Sequence, residues 1–542
     1  MQRSSRTFRL LIIAALPLAL SVTAGTPNGD TGNAIPATEK TTLHVLNRLG
    51  YGPRPGDIDM VTKMGVARYI QLQLHPENIA LPGSLTSRLA SLDTEEASTG
   101  DLLREFNAAR KDAKLEKKDK DGKSDAADEA QLKARQVLGR IAENTAEARL
   151  ARAIESPRQL EEVMVDFWFN HFNVYANKGL DRALVSSYER DAIRPNIFGN
   201  FRTLLGATAR HPAMLYYLDN WMSTVAGYQP RRGKRGRVDT TKQPSGLNEN
   251  YARELMELHT LGVDGGYTQR DVTELARMLT GWTFNQRDLM RHDTRFTFNE
   301  DAHDRGRKVW LGREVTERGQ REGEMALDVL ALHPATAHHL AYQLAQYFVN
   351  DNPPEALVNR LAARYLETKG EIRPVVEMLL TSPEFMDESN YGSKFKTPYQ
   401  YVLSAARASA IPVTNIRPLL GTLTQLGMPL YGSVTPDGYK NTEAAWLNPD
   451  ALTRRINFAT ALSSGRLPLD TSKFDAGQGM GRKQLEKQAD TNKRTNVAAL
   501  DVEPILKTLG SSISPETVAL IRTNPERLRA AMVLGSPDFM RH

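Results

Sequence analysis

The segment Asn248–Gln269, NENYARELMELHTLGVDGGYTQ, sets Glu249, Glu254, Glu257 and Asp264 beside Arg253 and His259 around one glycine-rich break. Carboxylates and an imidazole at this density suit cation binding or proton transfer, and spacing decides between them. A calcium loop needs oxygen ligands at alternate positions over about twelve residues, closed by a bidentate glutamate. Only Asp264 stands in such a position, which excludes an EF-hand. A zinc-protease helix needs histidines at i and i+4. Here Glu254 and Glu257 lie one turn apart, while His259 falls on another face. Any metal site needs ligands from other segments.

Two segments offer them. In DFWFNHFN, His171 follows Phe167 by one helical turn on the apolar face and is flanked by Asn170 and Asn173. A hydrogen-bonded core histidine is the plainer reading there. His303 and Asp304 open a turn, where aspartate is ordinary turn chemistry. His333, His338 and His339 surround a helix start and read as capping and surface positions. The candidate catalytic set is therefore His171, Glu254, Glu257, His303 and Asp304, with a carboxylate or imidazole as general base if folding brings them to one cleft. Metal and cofactor stay open. The chain has no Gly-x-Ser-x-Gly elbow, phosphate loop or His-Glu-x-x-His run, so the common hydrolase and nucleotide-binding templates find no support.

The elements that must position these residues are helical. From Asn248, Tyr251, Leu255, Leu258 and Leu261 share one face, and Glu249, Arg253 and Glu257 form an i, i+4, i+8 charge ladder on another. Gly262 suits a left-handed C-cap, and Thr268-Gln269-Arg270-Asp271 opens the next helix, so the segment reads as a helix-loop-helix corner. Ser156-Pro157-Arg158-Gln159 reads as a capping box ahead of Leu160, Val163, Met164 and Phe167. A corner is used twice: EMLLTSPEFM (Glu377–Met386) and AAMVLGSPDFM (Ala530–Met540) align Ser382 with Ser536 and Phe385 with Phe539. Strand patterning is sparse. Phe296 and Phe298 alternate with polar residues, and Lys308–Leu311 is expected to return across Asp304-Arg305-Gly306 as one hairpin near 295–312.

The fold class expected is mainly α, a multi-helix array. A length of 542 residues suggests two lobes, since single cores stop growing near ~250–300 residues. Arg3, Arg6 and Arg9 precede an apolar run Leu10–Leu20, and small residues end at Ala24, which is the pattern of a secretory signal peptide over 1–24. Residues 25–39 read as a flexible leader, 40–465 as the helical core and 496–542 as a C-terminal helical segment packing on it. Low-complexity charge at 110–130 and 466–495 cannot bury enough surface to offset chain entropy. Periplasmic or secreted location follows from the leader, with no later stretch apolar enough to span a membrane. Zero cysteines exclude disulfides, thiol nucleophiles and thiolate metal sites. Without the leader arginines, about 67 basic residues face 64 acidic ones, and the only dense basic cluster, Arg231–Arg237, sits in a proline-flanked loop; nucleic acid is not an expected partner.

Several stretches in order, LNRLGYGPRPGDIDMVTKMGVARYIQLQLHP, FWFNHFNV, ENYARELMELHTLGVDGGYTQRDVTELARMLTGWTF, HDRGRKVWLG and AAWLNPDALTRRINFATAL, resemble the blocks of the bacterial domain-of-unknown-function family 1800. The resemblance covers roughly residues 40–465 and, through the Ser-Pro-Asp-Phe corner, the C-terminus. It implies an exported, mainly helical protein whose gene often accompanies a second exported family resembling sulfatases and phosphatases. It carries over no catalytic residues. The expected function is a binding or scaffold partner of another envelope protein, because no catalytic motif is present. The alternative is a metal-assisted or acid–base hydrolase using the set above. A third reading is carbohydrate binding through Tyr431, Tyr439 and Trp446.

Overall fold

The computed structural model describes residues 38–116, 125–229, 246–471 and 499–542, with backbone alone at 112–116, 125–128 and 130. The expected signal peptide, most of the leader, the centre of the charged insertion, the basic cluster Arg231–Arg237 and most of the 466–495 stretch lie outside the described residues. The described chain is mainly helical, with two two-stranded sheets. Among the described residues no helix is long and apolar enough to cross a membrane.

Local chemistry starts and stops the helices. Thr268 caps helix Gln269–Met278 in a reciprocal capping box with Asp271, as its spacing predicts. The Ser156 box does not form. Ser156 Oγ accepts the Arg158 N–H at 3.0 Å, and the helix begins two residues later than expected, spanning Gln159–His171. Gln159 then turns its amide back to the Ala153 and Ser156 carbonyls at 3.1 and 2.8 Å, stitching the end of helix Asp125–Glu155 to the start of the next.

The duplicated corner is duplicated in its bonds. Ser382 Oγ accepts the Phe385 N–H at 3.2 Å and donates to Leu379, and Ser536 Oγ accepts the Phe539 N–H at 3.1 Å and donates to Val533. Each buried phenylalanine carbonyl takes a bond from a buried base, His44 Nε2 for Phe385 and Lys396 Nζ for Phe539, both at 2.8 Å. A Ser-Pro cap therefore fixes a corner that then anchors a distant element.

The strand expectation needs correction. Thr297–Phe298 pairs with Trp282–Thr283, and Val309–Trp310 pairs with Arg313–Glu314, both antiparallel. Asp304-Arg305-Gly306 does not close a hairpin, because Asp304 is bound to Arg277 at 2.8 Å and Lys308 turns inward. The described residues fall within one compact unit, without the separation into two lobes that length suggests. The last residues return to the first described helix, where His542 Nδ1–H donates to the Asn47 carbonyl at 3.1 Å, and they also meet the segment before Pro398, where Lys396 N–H donates to Met540 at 2.9 Å.

Candidate functional site

A cleft of about 380 Å3 is walled by four main segments, with Thr397 and Gln400 at the start of helix Pro398–Ser409 and Met428 completing the lining. Helix Gln159–His171 contributes Asp166 and Asn170 at i, i+4 and Phe167 and His171 on the adjoining row. Helix Pro334–Phe348 contributes His339, Gln343, Gln346 and Tyr347, again at i, i+4, i+7 and i+8. Glu257, Leu258 and Val263 come from the Asn248–Gln269 corner, and Asp437–Thr442 closes the remaining side. Asn170 fixes that loop by donating to the Tyr439 carbonyl at 2.8 Å and accepting the Tyr439 N–H at 2.7 Å. The approach requires Gly438, whose φ is +65° and where a Cβ would lie 2.5 Å from the Asn170 carbonyl oxygen.

The corner folds as expected, with helix Asn250–Glu257 packed through Tyr251 and Leu255 and Gly262 at φ +84°. The charge ladder forms by one rung. Arg253 meets Glu249 at 3.3 Å and Gln269 at 2.8 Å, while Glu257 makes no ion pair among the described residues and faces the cleft.

His171 is buried between two oxygens. Its Nε2 lies 3.1 Å from the His259 carbonyl and its Nδ1 2.8 Å from Gln343 Oε1, and a neutral ring donates to one of the two. His259 and His339 pack against it with ring centroids 6.1 and 6.4 Å away. Burial, reinforced by His339, lowers the His171 pKa to about 3, and burial also depresses His259 and His339, so all three rings are neutral at pH 7. His339 is thus a cleft residue instead of the surface position its place near the helix start suggests, whereas His333 caps its helix and the exposed His338 meets Glu355 at 3.0 Å.

Behind the cleft lies a buried ion network. Arg149 donates to Asp166 and to Glu189, both at 2.6 Å, and Arg194 clasps Glu162 at 2.8 and 2.9 Å and reaches Glu189 at 3.3 Å. Glu189 sits on a π-helical turn, Tyr188–Ile193, which re-aims it toward both arginines. Burial alone would raise the Glu189 carboxyl, but Arg149 and Arg194 hold it below the usual range. Asp166 differs: burial outweighs Arg149 and raises its pKa, and its second oxygen accepts only a 3.4 Å bond from Tyr347. Burial also raises Glu254, with Glu257 and Asp437 adding repulsion.

The candidate set therefore divides. His171 and Glu257 line the cleft, and Glu254, half-buried, lies within electrostatic reach of Glu257. His303 and Asp304 do not join them. His303 is buried with its Nδ1–H on the Thr280 carbonyl at 2.9 Å and Nε2 3.4 Å from Glu322, which pairs with Lys308 at 2.8 Å. Asp304 accepts from Arg277. Both serve a structural knot that holds the short strands. Among the described residues no three His, Asp or Glu side chains are placed to hold a metal ion.

A family model described as "Protein of unknown function (DUF1800)" matches residues 44–541. The chain belongs to the DUF1800 family. No curated protein and no solved structure matches it. Every cleft-lining residue falls inside the DUF1800 match. Sequence reasoning passed over Asp166, Asn170 as a loop clamp, and Gln343. Asp166 and Asn170 carry a local signal, since they share the row beside His171 in DFWFNHFN. Gln343 carries none, because its role depends on a helix 172 residues away along the chain.

Proposed function

We propose that this chain is an exported binding protein, acting alongside another exported protein, and that the cleft holds its ligand. The observation that supports this most is the state of the cleft wall. Asn170, His171, Gln343 and Gln400 are already oriented by bonds to their neighbours, while Glu257 faces the cavity free of any ion pair among the described residues. Such a surface binds without first reorganising. Export rests on the Arg3–Ala24 pattern.

The test is a thermal-shift screen of the purified protein against fractions of the host's envelope, with mass spectrometry of whatever is retained. A species that stabilises the wild type, is recovered chemically unchanged and loses its effect in Gln343→Ala supports binding. Failure of every fraction to stabilise the protein overturns it. Recovery of a cleaved species instead supports a second reading, an acid–base hydrolase, for which the raised Asp166 carboxyl at the cleft wall is the relevant observation. In that case Asp166→Asn abolishes cleavage and leaves retention intact.

A further inference from the structure

We propose that the ligand of this cleft is a neutral, hydroxyl-rich chain, an oligosaccharide; this rests on reading the cleft as the binding site. The first argument is charge. Lys440, the one lysine or arginine side chain among the described residues that line the cleft, pairs with Asp437 at 2.8 Å. His171 and His339 are neutral, and the remaining fixed charge, on Glu257 and Asp166, is negative. Among the described residues, phosphate, sulfate or carboxylate on a ligand would find as counter-ion only Lys440, already shared with Asp437.

The second is the mixture of donors and acceptors. A sugar hydroxyl gives one hydrogen bond and takes others, so its site must do both. Glu257 and the lone pairs of Asp166 left over by Arg149 and Tyr347 accept. Gln400 gives its oxygen to the Thr397 N–H at 2.9 Å, which leaves its NH2, one of whose hydrogens meets Tyr347, as donor. Gln346 donates to the Asp351 carbonyl at 3.2 Å, leaving its oxygen as acceptor.

The third is the rim. Tyr439 packs against Trp446 with ring centroids 6.2 Å apart, and the indole N–H is tied to the Lys440 carbonyl at 2.7 Å. Both rings are half-buried; Tyr439 lines the cleft and Trp446, outside the lining, packs on it, so the pair offers aromatic surface at the edge of a polar floor, a combination that suits the C–H face of a pyranose. Rigid aromatics of this kind supply contact area at low entropy cost. A peptide ligand fits less well, because helices and loops wall the cleft and, among the described residues, no strand edge lines it to pair with an extended backbone. Of the three aromatic residues singled out for carbohydrate in the sequence, Tyr431 does not take part. It is buried behind the cleft with its hydroxyl on Glu189 at 2.8 Å.

Isothermal titration calorimetry of the full chain with chitotetraose, cellotetraose and maltotetraose, and with a sulfated tetrasaccharide as the anionic control, tests this. We expect saturable binding of at least one neutral probe, little changed by added salt. Trp446→Ala and Glu257→Gln, with unchanged far-UV spectra, each weaken it by about tenfold or more. Tighter binding of the sulfated probe overturns the proposal, as does the absence of binding by all three neutral probes. If the envelope screen meanwhile yields an intact ligand of another class, the saccharide assignment falls and the binding reading stands. If the screen also yields nothing, both fall.

Discussion

At the scale of single residues, the cleft depends on positions whose side chains are small or neutral. Gly438 shows how. A left-handed backbone costs a non-glycine residue roughly 1–2 kcal/mol, and a Cβ 2.5 Å from a main-chain oxygen adds a clash that must displace the Tyr439 loop. Gly266 has a similar φ of +79° with nothing within 4 Å, so it isolates the first cost from the second. Gly438→Ala is expected to lose at least about 2 kcal/mol in urea unfolding, and Gly266→Ala only about 1 kcal/mol. Equal losses in the two variants would show that the Asn170 contact does not constrain the loop.

At the scale of elements, the cleft's back wall is a set of helices locked by charge. Arg149, buried on helix Asp125–Glu155, joins Asp166 of helix Gln159–His171 to Glu189 of the π-helical turn, so three elements share one guanidinium. Removing one partner from a buried network strands the others, and Arg149→Ala is expected to destabilise by about 3–5 kcal/mol at pH 7. The deficit relative to wild type should shrink as pH falls toward 4, because in the variant Asp166 and Glu189, without Arg149 to hold them ionised, take up protons and no longer need that counter-ion. Urea melts at both pH values measure this, and a deficit independent of pH would mean that Arg149 acts through packing on Phe169, Tyr399 and Tyr431 alone.

At the scale of the whole molecule, buried neutral histidines are spread from end to end. His44 bridges the first helix to the Phe385 corner, His171 sits in the cleft wall, and His211 caps helix Pro212–Tyr217. Burial lowers each to about 3, against roughly 6.5 in an unfolded chain. The unfolded state therefore binds more protons than the fold between those values. Stability contributed by each histidine is fully present above pH 6.5 and declines by ~1.4 kcal/mol per pH unit on the way down. Glu189, held below its usual range, adds loss of the same sign under about pH 4.5, and Asp166 opposes it. Urea midpoints should fall steadily from pH 7 to pH 5, and a flat profile across that range would show that these rings are not buried neutral.

What the sequence alone determined was local. Helical periodicity, the Thr268 cap, the Gly262 break and the repeated Ser-Pro corner are written in bonds spanning a few residues, and they specify a mainly helical chain whatever surrounds them. The family blocks were legible for the same reason. The candidate site was legible only in halves: His171 and Glu257 meet in the cleft, while His303 and Asp304, of equally suggestive types, are consumed by Thr280, Glu322 and Arg277. Residue type cannot separate these cases, because a buried imidazole looks the same in sequence whether it faces a cavity or a carbonyl. Tertiary structure alone decided that Gln343 reaches His171, that Asn170 pins Tyr439 and that Trp282 takes Phe298 as its strand partner. Each of those contacts joins residues brought together only by packing, and their order along the chain holds no trace of it.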